Sequence, residues 1–127
     1  MNSNKKQVYD LEERLLEFSV SIINVVEQLT KNRAGNHVGG QLLRSGTSAY
    51  PNHGEAQAAE SSKDFIHKLR ISLKELRETY RWLRLTQRVP LIKNPRIITD
   101  ILNETEELIK IFVVSIRTTE NNRKIKK

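Results

Sequence analysis

The sequence predicts an all-α chain folded as an antiparallel, up-down-up-down four-helix bundle. Three observations carry this. Apolar residues recur at alternating steps of three and four, which puts them on one face of a helix. Alternation of the β type is absent over any long window. Only 5 Gly and 3 Pro punctuate 127 residues, so long helices with short connections are expected in a single domain.

The first helix is expected over about residues 8–32. Its apolar face is Val8, Leu11, Leu15, Phe18, Ile22, Val25 and Leu29. Asp10 and Glu13 stand at capping-box spacing, which places the start there or a few residues earlier. The second segment, about 35–60, has helical spacing in Val38, Leu42, Leu43, Ala49, Ala56 and Ala59. It also holds Gly39, Gly40, Gly46, Gly54 and Pro51. An interior Gly costs about 1 kcal/mol relative to Ala and an interior Pro about 3, so a kink or break is expected near Tyr50–Pro51. The small residues Ser45, Gly46, Ser48 and Ala49 favour close approach of another helix over a ligand-binding break.

The third helix, about 62–89, carries a stripe of Phe65, Ile66, Leu69, Leu73, Leu76, Tyr80 and Leu83. Ser72 and Thr79 fall within it and mark tight contacts. It stops at Val89-Pro90, because Pro disfavours a helical residue before it. The fourth helix, about 95–120, opens on Asn94-Pro95, an N-cap followed by Pro at the first helical position. Ile97, Ile98, Ile101, Thr105, Leu108, Ile109, Phe112 and Ile116 form its inner face. Residues 121–127 read as a frayed basic tail.

Lys and Arg number 22 against 15 Asp and Glu, a net charge of +7. The excess is uneven. Residues 1–60 are slightly acidic, residues 61–90 hold 8 basic and 3 acidic groups, and residues 117–127 hold 5 and 1. A clustered charge makes a local potential that a diluted one does not, which points to an anionic partner, nucleic acid first. With no Cys, the chain has no disulfide, thiolate metal site or cysteine nucleophile. No apolar run approaches the roughly 20 residues of a membrane span. No stretch of signal-peptide type follows the opening Met-Asn-Ser-Asn-Lys-Lys, so a cytoplasmic location is expected.

The third helix carries Lys63, His67, Arg70, Lys74, Arg77, Arg81, Arg84 and Arg88 at steps of 4, 3, 4, 3, 4, 3 and 4. At 1.5 Å per residue they make one outward stripe about 37 Å long. A solvated face usually mixes signs; this stripe contains no acid. Glu78 is placed to relieve Lys74 and Arg81, and Glu75 stands near Arg70 and Lys74. Arg outnumbers Lys, and its planar fork suits phosphate. The candidate nucleic-acid-binding residues are therefore Arg70, Lys74, Arg77, Arg81, Arg84 and Arg88, with the tail helping. Binding to phosphates is salt-sensitive and weakly sequence-specific. The competing reading is a solvated face, or one that binds a protein partner's acids in an assembly scaffold.

Ile71, Trp82 and Leu85 lie off both the core stripe and the basic stripe, and Ile111 and Val114 lie off the inner face of the fourth helix. An outward Trp suits an interface anchor, so these residues are expected to join copies of the chain.

Enzymatic signatures are absent. No His has a Glu three residues before it, as a di-iron bundle requires; Asp64-x-x-His67 is a lone, weak signal. No phosphate loop, dinucleotide fingerprint or nucleophile elbow is present. Arg33-Ala-Gly-Asn-His37 resembles the Arg…His motif of helical RNases of the HEPN class, with a shorter spacing and at a helix junction. No metal, cofactor or catalytic residue is expected, and the chain reads as a non-enzyme.

The stretch Gln41-Leu-Leu-Arg-Ser-Gly-Thr-Ser-Ala-Tyr-Pro-Asn-His-Gly-Glu-Ala-Gln-Ala-Ala-Glu60, with Asp64-Phe-Ile-His-Lys-Leu-Arg-Ile-Ser-Leu-Lys-Glu-Leu-Arg-Glu-Thr-Tyr-Arg-Trp-Leu-Arg-Leu85, resembles the bacterial 23S rRNA intervening-sequence proteins. That family includes the accessory variability determinant (Avd) of diversity-generating retroelements. The resemblance runs from about Asp10 to Ile116. Ala49-Tyr50-Pro51-Asn52-His53-Gly54 stands where relatives often show an Ile, then Pro or Gly, then Asn. The resemblance implies a four-helix bundle assembled into a ring, typically a homopentamer, and a basic surface that binds RNA or DNA without sequence preference. For the Avd branch it implies partnership with a reverse transcriptase. It also implies structural roles for Arg44, Ser45, Ser48, Asn52, Glu55, Glu60, Phe65, Glu75 and Glu78.

Overall fold

The computed structural model describes residues 3–126, with side chains described for residues 11–124. Five helical segments follow one another: α1 (Ser3–Glu27), α2 (Arg33–Gly46), α3 (Ala49–Gln57), α4 (Ser62–Arg88) and α5 (Arg96–Lys126). The described residues are all-helical apart from one isolated β-bridge. α2 and α3 together make one wall of a four-helix bundle. α4 packs on that wall and on α5, and α1 packs on the same two from the opposite corner.

The core is built from the stripes the spacing marks out. Leu15, Phe18, Ile22 and Val25 of α1, with Leu29 just after it, join Leu42, Leu69, Leu76, Leu83, Ile98, Leu108 and Phe112 in the core, all buried. Ser72 and Thr79 are fully buried within the α4 stripe, as their position implied. Val8 and the Asp10 side chain of the expected capping box lie outside the residues whose side chains are described. α1 starts at Ser3, so the Asp10 position falls inside the helix and not at its start.

The break in the second helix comes earlier than Tyr50–Pro51. α2 ends at Gly46 and α3 begins at Ala49, leaving Pro51 as the third residue of a helix. The first turn of a helix has no use for its backbone N–H groups, so Pro is accommodated there without a kink. Hydroxyls close the end of α2: Thr47 Oγ1 donates to the Leu43 carbonyl at 2.6 Å, and Ser48 Oγ to that of Arg44 at 2.6 Å.

The small residues near the break mark close packing. Ser45 Oγ lies 3.0 Å from Thr79 Oγ1 of α4. The Ala49 carbonyl accepts from Ser72 Oγ at 3.4 Å. Gly46 lies against Ile22 of α1, where a Cβ would stand 2.6 Å from Ile22 Cγ2.

The α1–α2 and α4–α5 connections meet at one end of the bundle. Thr30 N–H donates to the Leu91 carbonyl at 2.8 Å, and Leu29 forms a β-bridge with Ile92. Leu29, Leu91 and Ile92 are all buried, so these connections add to the core. Asn32 Oδ1 caps α2 by accepting from Gly35 N–H at 2.8 Å. α4 ends at Arg88, before the cis Val89–Pro90 bond, and α5 begins after Asn94-Pro95, as the sequence indicated. The segment read as a frayed tail continues α5 as helix through Lys126.

Candidate nucleic-acid interface

α4 is a continuous 27-residue scaffold for the basic stripe. Ser61 Oγ caps its start, accepting from Asp64 N–H at 3.1 Å. The step of three and four keeps all eight residues from Lys63 to Arg88 on one side, and every one is exposed.

The acids on the same helix turn away from them. Glu75 and Glu78 both bind Arg44 of α2; Glu75 Oε2 lies 3.0 Å from the guanidinium. Trp82 Nε1 also donates to Glu78 Oε2 at 3.1 Å. The expected relief of Lys74 and Arg81 by these acids is therefore not what the fold does. Arg44 lies 31 residues before Glu75, and only the packing of α2 on α4 brings it there. Among the described residues, Lys74, Arg77, Arg81, Arg84 and Arg88 have no ion-pair partner. Arg70 does, bonding Glu120 of α5.

α4 and α5 run antiparallel: Arg70 meets Glu120, Tyr80 meets Glu106 and Gln87 meets Thr99. Arg123 and Lys124, one turn past Glu120, therefore lie towards the first turns of α4, where Lys63 and His67 stand. The described end of the second basic segment therefore sits at the same end of the bundle as the start of the first. Nothing in the sequence read locally indicates this juxtaposition.

The structure sorts the three apolar candidates for an interface. Leu85 is 43% exposed. Ile71 is half-buried. Trp82 does not point outward: it is half-buried against the core, bonded to Glu78, with its ring edge-on to His37 at 5.9 Å. Its size is used to seal α4 against α2. Val114 is 59% exposed, whereas Ile111 is half-buried. The sequence reading missed a clearer apolar surface on α1. Leu16, Val20 and Ile23 are all exposed, on the side of α1 away from its core stripe. Their spacing of four and three was the available signal.

The other polar candidates fall in different surroundings. His53 is 2% exposed. Its Nδ1 lies 2.6 Å from Glu12 Oε1 and its Nε2 3.2 Å from Gln57 Nε2, with the ring edge-on to Phe112. A carboxylate only accepts, so Nδ1 carries the proton and donates to Glu12. Arg33 and His37 stand exposed on the first turns of α2. Lys68 binds Glu55 at 3.3 Å, tying α4 to α3. Among the described residues no three His, Cys, Asp or Glu side chains are grouped to hold a metal ion. No described helix is long and apolar enough to cross a membrane.

Fold and surface together define an antiparallel four-helix bundle that presents an exposed basic stripe in which Arg77, Arg81, Arg84 and Arg88 have no ion-pair partner among the described residues. The chain belongs to the 23S rRNA-intervening sequence protein family, which it matches over residues 7–113. It is also similar to a protein of unknown function from the S23 ribosomal protein family of Bacteroides thetaiotaomicron, known from a crystal structure. The two share 38% identity and a TM-score of 0.76, over 83% of this chain and 96% of that one. No curated protein matches the chain.

Proposed function

We propose that this protein is a non-enzymatic, cytoplasmic, oligomeric accessory protein that binds RNA or DNA through the α4 stripe. The observation that supports this most is the pairing of Glu75 and Glu78 with Arg44, which leaves Lys74, Arg77 and Arg81 without an acid partner among the described residues. Repelling neighbours destabilise a helix by a few tenths of a kcal/mol per pair, and the fold diverts the two acids best placed to relieve them. Four guanidinium groups without an ion-pair partner among the described residues, Arg77, Arg81, Arg84 and Arg88, stand in one line as bidentate donors for a phosphate backbone. The outer stripe of α1, with Leu85 and Val114, supports self-association, with a pentamer as the expected state. A reverse transcriptase is the protein partner that the Avd-like resemblance favours.

The test is Arg77→Glu with Arg81→Glu, assayed for retention of RNA and DNA at low salt and sized by light scattering. Retention is expected to be lost while the oligomer's mass is unchanged. Retained binding removes the stripe as the site. No binding by the unaltered protein near physiological salt favours the second reading, a scaffold whose basic face meets an acidic protein.

A further inference from the structure

Between the facing turns of α4 and α5 lies a cleft of about 440 Å³, lined by Arg70, Leu73, Lys74, Arg77, Val113 and Ile116. That falls within the roughly 300–1,000 Å³ of small-ligand clefts. Its floor is aliphatic, with Leu73 and Ile116 buried and Val113 half-buried. Its α4 wall is cationic. Two bonds cross between the helices on either side of it: Arg70 to Glu120, and Tyr80 Oη donating to Glu106 Oε1 at 2.9 Å. The lining on α4 runs from Arg70 to Arg77, about 10 Å, and the cleft opens to solvent. A docked amphipathic helix needs successive apolar anchors along an open groove, and these two bonds interrupt it.

We propose that this cleft takes one unstacked base of an RNA or DNA strand whose flanking phosphates lie on Lys74, Arg77 and Arg81. The inference rests on the nucleic-acid-binding reading of the stripe and adds what that reading lacks, a preference between strands. The exposed cations attract phosphate but read no base. Beside them stand an apolar floor and guanidinium planes, surfaces on which splayed-out bases stack. Charge is one-sided, because Arg70, Lys74 and Arg77 line the cleft from α4 whereas its α5 side is Val113 and Ile116. A single strand, with phosphates on one edge and uncharged bases on the other, matches that asymmetry. A duplex keeps its bases stacked inside and must unpair one before it fills the cleft.

The test is fluorescence anisotropy of the full chain with labelled oligothymidylate and with a labelled duplex of the same length. The single strand is expected to bind about tenfold tighter, the size of one base-stacking contact. Val113→Asn is expected to bring it down to the duplex level, with duplex affinity unchanged. Val113→Thr, nearly isosteric, gives the same direction if the Asn variant fails to fold. Equal affinity for the two probes, or a ratio unmoved by both variants, overturns base capture and leaves the stripe reading standing. Binding of polyglutamate with neither nucleic acid bound overturns both readings and makes the cleft a site for an acidic protein.

Discussion

Gly40 and Gly46 lie on the same helix, yet a methyl group at each meets opposite surroundings. At Gly46 a Cβ would come within 2.6 and 2.8 Å of Ile22 side-chain carbons, in a buried position where α1 and α2 press together. At Gly40, which is exposed, it would meet nothing within 4 Å. Gly46→Ala is expected to destabilise the fold by about 1–3 kcal/mol through overpacking. Gly40→Ala is expected to stabilise it by about 0.5–1 kcal/mol, the helix-propensity difference. Urea midpoints of the two variants check both signs. From the sequence alone both glycines counted equally against a regular helix. The distinction rests on what lies across the helix interface.

The charge pattern of α4 depends on the neighbouring α2. Arg44 is half-exposed, so its pairs with Glu75 and Glu78 add little to stability. Their larger effect is to hold two carboxylates on the side of α4 away from the stripe. Arg44→Ala is expected to weaken nucleic-acid binding several-fold with little change in thermal midpoint, because the freed acids then neutralise Lys74 and Arg81. Adding Glu75→Gln and Glu78→Gln to Arg44→Ala is expected to restore binding. Anisotropy titrations at fixed salt make the comparison. α4 also shows how far the candidate site was legible. The stripe from Lys63 to Arg88 follows from 3.6 residues per turn and could be read directly. The destination of Glu75 and Glu78 and the inward packing of Trp82 could not, because Arg44 and His37 come from another helix.

Across the whole molecule, the antiparallel packing of α5 on α4 brings Arg123 and Lys124 to the end of the bundle where α4, with its eight basic residues in 61–90, begins. The core does not extend that far along α5: Ile116 is its last buried residue among those described. Truncation after Glu120 is therefore expected to leave the fold intact while removing Arg123, Lys124, Lys126 and Lys127. Binding should weaken, and the dependence of log K on log salt should become shallower by about 0.7 for each single-strand phosphate that the shortened chain no longer neutralises. Circular dichroism and salt titrations together check this.

The helical class, the core stripes of α1, α4 and α5, the ends of α4, the start of α5 and the line of cations along α4 are all written in the order of the residues. Each depends on backbone geometry within a few residues, which the spacing of apolar, capping and basic residues records. Helix packing, in contrast, is what brings Arg44 of α2 to the acids of α4. It also sets Arg123 and Lys124 at the end of the bundle where α4 begins and shapes the open cleft beside Arg77. Those features arise where helices distant in sequence are pressed together. The energies that settle them belong to contacts across 31 or 50 residues, which no local pattern encodes.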